Sequence, residues 1–224
     1  MILHELVGSE DHPVYQELQV SNGARQYDFL RSMVAASLGV ECDYLSTEVI
    51  EALNFHAIAC LHVNAGEFRP CPVVVGQPPA QYHPPAHFQV RALMGNFVNT
   101  VNRRWAESDP VALASFVLWQ LNAIHPFING NGRTARAASY FVLCLRLKTW
   151  LPGTVLLPEL IRRNRPEYVI ALKAADGGDV GQLHAFLARL IAEQIESAGP
   201  PPPPPPRKFN RSILLARQGS KRGR

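Results

Sequence analysis

Residues 125–136 read HPFINGNGRTAR, and their types and spacing could do phosphate chemistry. His125 can accept a proton near neutral pH. Gly130 and Gly132 carry no side chain that would keep a phosphate away from the backbone. Arg133 and Arg136, three apart, share a helix face and can both fork onto phosphate oxygens. If a helix starts near Gly130, its first turn adds unpaired N–H groups and a partial positive charge, which together bind anions. Asn131 can bond to the anion or hold the turn. The combination suits a site that grips a polyphosphate and activates a hydroxyl beside it. An Asn-Gly step is also a strong hairpin signal. Here, however, both flanks carry helical periodicity and neither alternates as a strand would.

The elements that must position these residues are mostly helical by pattern. Phe29, Leu30, Met33, Val34 and Leu38 predict a helix over 27–38, stopped at Gly39. Ile50, Leu53, Ala57, Cys60 and Leu61 predict another over 47–61. Val90, Leu93, Met94, Phe97, Val98, Val101 and Trp105 fall on one face of a third. Asp109-Pro110 places a cap residue before a proline at the first helical position, and that helix ends before Pro126. Ala137 to Leu145 continue a helix beyond the motif. Asn164 with Pro166 opens another, which stops at Gly177-Gly178, and Asp179 caps a last one through Ile195. Between the second and third helices, residues 67–85 are rich in β-branched residues and proline and read as a hairpin or flap. The expected fold class is all-α, a helical bundle with one short β-hairpin flap.

The chain has 224 residues, enough for one domain with an appendage. Its 22 basic residues exceed its 18 acids, but seven of the basic ones lie in 207–224. The remaining 15 against 18 acids leave a body near −3, so a basic nucleic-acid-binding face is not indicated. The four cysteines form no C-x-x-C pair and are expected to be reduced and partly buried, as in a cytoplasmic protein. The first residues lack the pattern of a signal peptide, and no apolar run is long enough to span a membrane. Pro200 to Pro206 should extend as polyproline II, most simply as a spacer or as a docking site for a proline-recognising domain. The basic segment beyond is expected to be disordered. The organisation expected is an N-terminal helical extension at 1–46, a catalytic domain at 47–198 and a tail at 199–224.

HPFINGNGR with its trailing arginine resembles the signature of the Fic (filamentation induced by cAMP) domain family, HPFx(D/E)GNGRxxR. Gly66-Glu67-Phe68-Arg69, the run Val73, Val74, Val75, then His83-Pro84-Pro85 and the Leu93-Met94 helix are similar to the family's flap region in order. Tyr168, Leu172, Ala175, Gly178 and Asp179 also fit downstream. The resemblance covers roughly residues 50–190 and implies a protein adenylyltransferase, moving AMP from ATP to a Ser, Thr or Tyr hydroxyl of a target protein. It implies His125 as general base and Gly130, Asn131 and Gly132 as anion cradle. Arg133 and Arg136 would hold the β- and γ-phosphates, and Val73, Val74 and Val75 would form a target-docking edge. The rival readings are transfer of another nucleotide or of a phosphoryl group, or a nucleotide-binding scaffold without activity.

Two departures from the family pattern matter. The position that in the family holds Mg2+ through an acid is Asn129, which implies weaker Mg2+ binding, a turn towards Mn2+, and slower transfer. The family's inhibitory (S/T)xxxE(G/N) element has no convincing counterpart. Thr47 and Glu51 have the spacing, but Ala52 follows and the segment reads as an ordinary helix. Inhibition would then come from a separate partner, or be absent.

Overall fold

A computed structural model describes residues 2–79 and 81–199. The proline run and the basic segment, residues 200–224, lie outside them. Nine α-helices appear among the described residues. They are α1 (Leu3–Val7), α2 (Pro13–Gly39), α3 (Thr47–Ile58), α4 (Val90–Arg103), α5 (Pro110–Ile124), α6 (Asn131–Arg146), α7 (Leu157–Arg163), α8 (Arg165–Asp176) and α9 (Gly181–Glu196).

Helix α6 is the hub. From Ala137 to Leu145 every side chain is buried, so this helix is enclosed on all sides rather than along one stripe. It packs most extensively on α5, and also on α2, α3 and α7. That central position explains why the segment after the motif lacks an amphipathic pattern: Ala137, Ala138 and Ser139 let neighbouring helices approach, while Tyr140, Phe141 and Leu143 fill the space between them. Helix α5 begins as expected, with the Asp109 carboxylate accepting from Val111 N–H and Ala112 N–H, each at 2.9 Å. Its last residue is followed by His125 in left-handed geometry, φ 50°.

The N-terminal half is less segmented than the sequence suggests. Helix α2 begins at Pro13 rather than near residue 27 and runs 27 residues. Its early turns carry few apolar residues, so periodicity alone misses them. They are held instead by buried amides: Asn22 donates to Ala59 C=O and Gln26 to Leu53 C=O, both at 2.8 Å. Leu30, Val34 and Leu45 belong to the same core as Ile50, Met94 and Phe141. A cut at residue 46 would pass through that core.

Two other expectations change. The flap hairpin is not formed: among the described residues there is no strand, only one antiparallel bridge, in which Val75 and Tyr82 exchange both backbone bonds (3.0 and 2.9 Å). Prolines at 70, 72, 78, 79, 84 and 85 remove the donors that a longer ladder needs. Asn164 directly precedes α8, as expected, and its amide turns back to Leu160 C=O at 2.9 Å. Of the four free cysteines, Cys144 is buried and Cys42 half-buried, while Cys60 and Cys71 are exposed.

Candidate active site

The motif forms the loop between α5 and α6, the two helices in closest contact. His125 ends α5 in left-handed geometry, a conformation that costs a non-glycine residue about 1–2 kcal/mol. Burial pushes its imidazole pKa down to about 4, against a hydrogen bond to the Asn122 backbone that works the other way; the Arg69 charge lowers it further. The ring is therefore neutral at pH 7, with a free lone pair for a proton.

Three residues after Phe127, at Gly130, the chain turns into α6. Asn131 is buried and locked: its amide oxygen accepts from Phe127 N–H (2.9 Å) and its amide nitrogen donates to Phe127 C=O (2.8 Å). Its side chain holds the turn and is not free for an anion; only its backbone N–H points to that role. Gly130 is the N-cap, φ 77°, and a Cβ there would lie 2.7 Å from Ile58 Cγ2 and 3.0 Å from Asn54 Nδ2. Glycine at this position serves the packing of α6 on α3. At Gly132 a Cβ would sit 3.2 Å from Arg136 Nη1, so glycine here leaves room for that guanidinium.

The start of α6 has no side-chain cap, and the N–H groups of Asn131, Gly132 and Arg133 find no acceptor among the described residues. Arg136 likewise makes no hydrogen bond or ion pair there. It is largely enclosed, with Tyr27 and Tyr168 nearby and Arg162 and Arg165 adding positive charge; burial pulls its pKa down, as does each of those cations. Arg133 is similarly lowered, first by burial. Two guanidinium groups held in this way are relieved by an anion between them.

Arg133 is partly engaged: Nη1 donates to Ala57 C=O (2.9 Å) and Nη2 to Asn129 Oδ1 (3.1 Å). That second bond bears on the metal. Asn129 Oδ1 also accepts from Gly130 N–H, while its Nδ2 donates to Glu10 Oε1 (2.7 Å) and contacts His62 Nε2 (2.9 Å). Turning the amide over would set its NH2 against two donors. Asn129 so arranged does not fit a divalent cation, and among the described residues no cluster of three or more His, Cys, Asp or Glu side chains could hold one. The amide of Asn129, the position expected to hold a metal, is engaged here as a junction between the N-terminal segment and the motif.

Several residues at the site escape sequence reasoning. Glu10 and His62 reach Asn129 across 119 and 67 positions, and Tyr15 Oη bonds His62 Nε2 at 2.9 Å, with no local pattern to announce any of them. Asn54 did leave a signal, as a lone amide in the apolar stripe of α3. It donates to Asn129 C=O (2.9 Å) and Thr134 Oγ1 (3.2 Å), and accepts from Gly66 N–H (3.0 Å). One buried side chain thus joins α3, the motif loop, α6 and the start of the flap. Glu51 is not among the groups that perturb Arg136.

The flap lies against the same loop. Val74 is exposed and Val73 and Val75 are half-buried. The backbone groups of Val73 and Val74 are unpaired among the described residues. Tyr82 Oη donates to Ala123 C=O at 2.6 Å, fastening the far side of the flap to the end of α5.

Comparison with known proteins gives a consistent picture. Residues 44–143 match the family model described as Fic/DOC family. A curated relative, protein adenylyltransferase Fic of Drosophila willistoni, is 32% identical over 149 residues, covering 64% of this chain and 28% of that protein. The relative of the same name from Drosophila grimshawi is 31% identical over 166 residues, 72% of this chain and 31% of that one. The chain thus spans less than a third of these relatives' length. Among solved structures, a Fic family protein from Desulfovibrio desulfuricans G20 superposes with TM-score 0.67 at 20% identity, over 84% of this chain and 54% of that one. Fic-1 from C. elegans gives 0.61 at 23% identity, over 89% and 51%. These two likenesses speak to the fold.

Proposed function

Because this chain is a Fic-domain protein, we propose that it transfers AMP from ATP to a hydroxyl of a target protein. The observation that carries this reading is the set of donors at the start of α6 left unengaged among the described residues: three backbone N–H groups and the whole Arg136 guanidinium. Such donors in a partly buried, positively charged setting suit the β- and γ-phosphates of a nucleotide. The curated relatives named protein adenylyltransferase support the same class of reaction.

In this reading the triphosphate lies along the N-terminus of α6, with Arg136 on its outer end and the spare N–H groups of Arg133 beside it. His125 takes the proton from a Ser, Thr or Tyr hydroxyl as that oxygen attacks the α-phosphorus. The new O–P bond forms as the bond to the pyrophosphate oxygen breaks, and pyrophosphate leaves bound to the arginines. Neutral His125 is in the right protonation state for this step. The target segment runs beside Val73 and Val74, whose backbone groups, unpaired among the described residues, offer main-chain pairing. No step is assigned to a metal, because Asn129 in its present contacts does not fit one. Charge is neutralised by the two guanidinium groups and the helix terminus. No helix among the described residues is long and apolar enough to cross a membrane.

Purified protein with ATP labelled at the α- or γ-phosphate, beside a cell lysate, tests this. α-Label on protein, lost in His125→Ala, is expected. γ-Label on protein would replace the reading with phosphoryl transfer, and nucleotide binding without label would replace it with a scaffold.

A further inference from the structure

Arg69 is only 2% exposed, and no carboxylate pairs with it among the described residues. A charge in that position costs stability unless its donors are met. They are met by carbonyls from two separate parts of the chain. Nε donates to His125 C=O at 2.8 Å, Nη1 to Cys71 C=O at 3.2 Å, and Nη2 to Pro85 C=O. The Arg69 backbone N–H takes the next carbonyl of the motif, Pro126, at 2.9 Å. Its neighbour Phe68 packs on Phe127, ring centroids 5.7 Å apart.

We propose that Arg69 is a positioning residue that clamps both limbs of the flap, at Cys71 and Pro85, to the carbonyl of His125, so that the base and the target-docking edge are set as one unit. This rests on the adenylyl-transfer reading for its consequence, but its geometry stands without it. Residues 71 and 85 bracket a loop with, among the described residues, a single backbone bridge, too little to fix its shape. The guanidinium supplies the closure that the proline-rich ladder cannot. At the other end, consecutive carbonyls of His125 and Pro126 are held by one residue, which is what a left-handed histidine needs if its ring is to keep one direction. A planar fork with several fixed donors can do this; a lysine ammonium in the same volume keeps the charge without the fork. The charge has a second effect, since Arg69 contributes to the low pKa of the His125 ring.

Two variants separate clamp from charge. Arg69→Lys keeps the positive charge and should lower the turnover number for AMP transfer roughly ten- to a hundredfold, as misplacement of a reacting group does, while the KM for ATP changes less than about threefold. Its His125 ring, followed by NMR, should titrate as in wild type but with shifted resonances. Arg69→Met should lose turnover similarly, with the His125 titration displaced upward. If Arg69→Met does not fold, Arg69→Lys carries the test. Wild-type turnover in Arg69→Lys, or unshifted His125 resonances, overturns the proposal. The ring measurement needs neither ATP nor target, so failure of the wild-type protein to transfer AMP would sink the functional reading and leave the clamp still to be judged by NMR.

Discussion

Replacing Asn129 by the acid that the family signature carries there should set two carboxylates against each other. Asn129 Nδ2 donates to Glu10 Oε1 at 2.7 Å, so Asn129→Asp puts an anionic oxygen about where that donor was. At 2.7 Å two unit charges repel by about 1.5 kcal/mol at the dielectric of water, and by about 6 kcal/mol at an effective value of about 20. Glu10 is about half exposed, so the lower end applies. The attraction between the new carboxylate and Arg133 also changes, but it is common to both Glu10 backgrounds in a double-mutant cycle and cancels. Glu10→Gln in the wild-type protein removes a charge-assisted hydrogen bond and should cost about 1 kcal/mol. In the Asn129→Asp protein the same change removes repulsion and adds a donor, so it should stabilise by about 1–2 kcal/mol. The coupling is therefore about 2–3 kcal/mol with a reversal of sign, measured by urea unfolding of the four proteins at pH 7 and low salt. High salt should shrink it. Additivity within about 0.5 kcal/mol would refute the junction and free Asn129 for another role.

Further outcomes follow from the site. Gly130→Ala should destabilise by about 2–5 kcal/mol, from φ 77° and a Cβ 2.7 Å from Ile58. Gly132→Ala should fold at least as well as wild type yet weaken ATP binding, because its Cβ displaces Arg136; thermal melting and titration calorimetry distinguish the two. For His125, the folded pKa of about 4 lies below its unfolded value of about 6.5. The unfolded chain then binds more protons between these values, so this group's contribution is complete above about pH 6.5 and is lost as pH falls towards 4. That contribution is about 2–4 kcal/mol at neutral pH and should vanish from the pH-dependence of stability in His125→Asn. The acid limb of kcat/KM should likewise fall nearer pH 4 than 6.5 in wild type.

The sequence by itself determined the helical class, the turn at 125–130, the start of α5 at Asp109-Pro110 and the open N-terminus of α6 with Arg136 on it. All of these depend on residues within a turn or two of one another, where periodicity, capping and glycine geometry act. It also offered a hairpin at 67–85, since β-branched residues mark an extended chain but do not count the donors that six prolines remove. Only the tertiary structure decided which polar groups are spent and which are free. Asn131 is consumed by Phe127, Asn129 by Glu10, His62, Gly130 and Arg133, and Arg69 by three carbonyls, whereas Arg136 spends no donor among the described residues. Hydrogen-bonding capacity is a property of each side chain, but its use is set by partners up to 119 positions away, which no local pattern encodes.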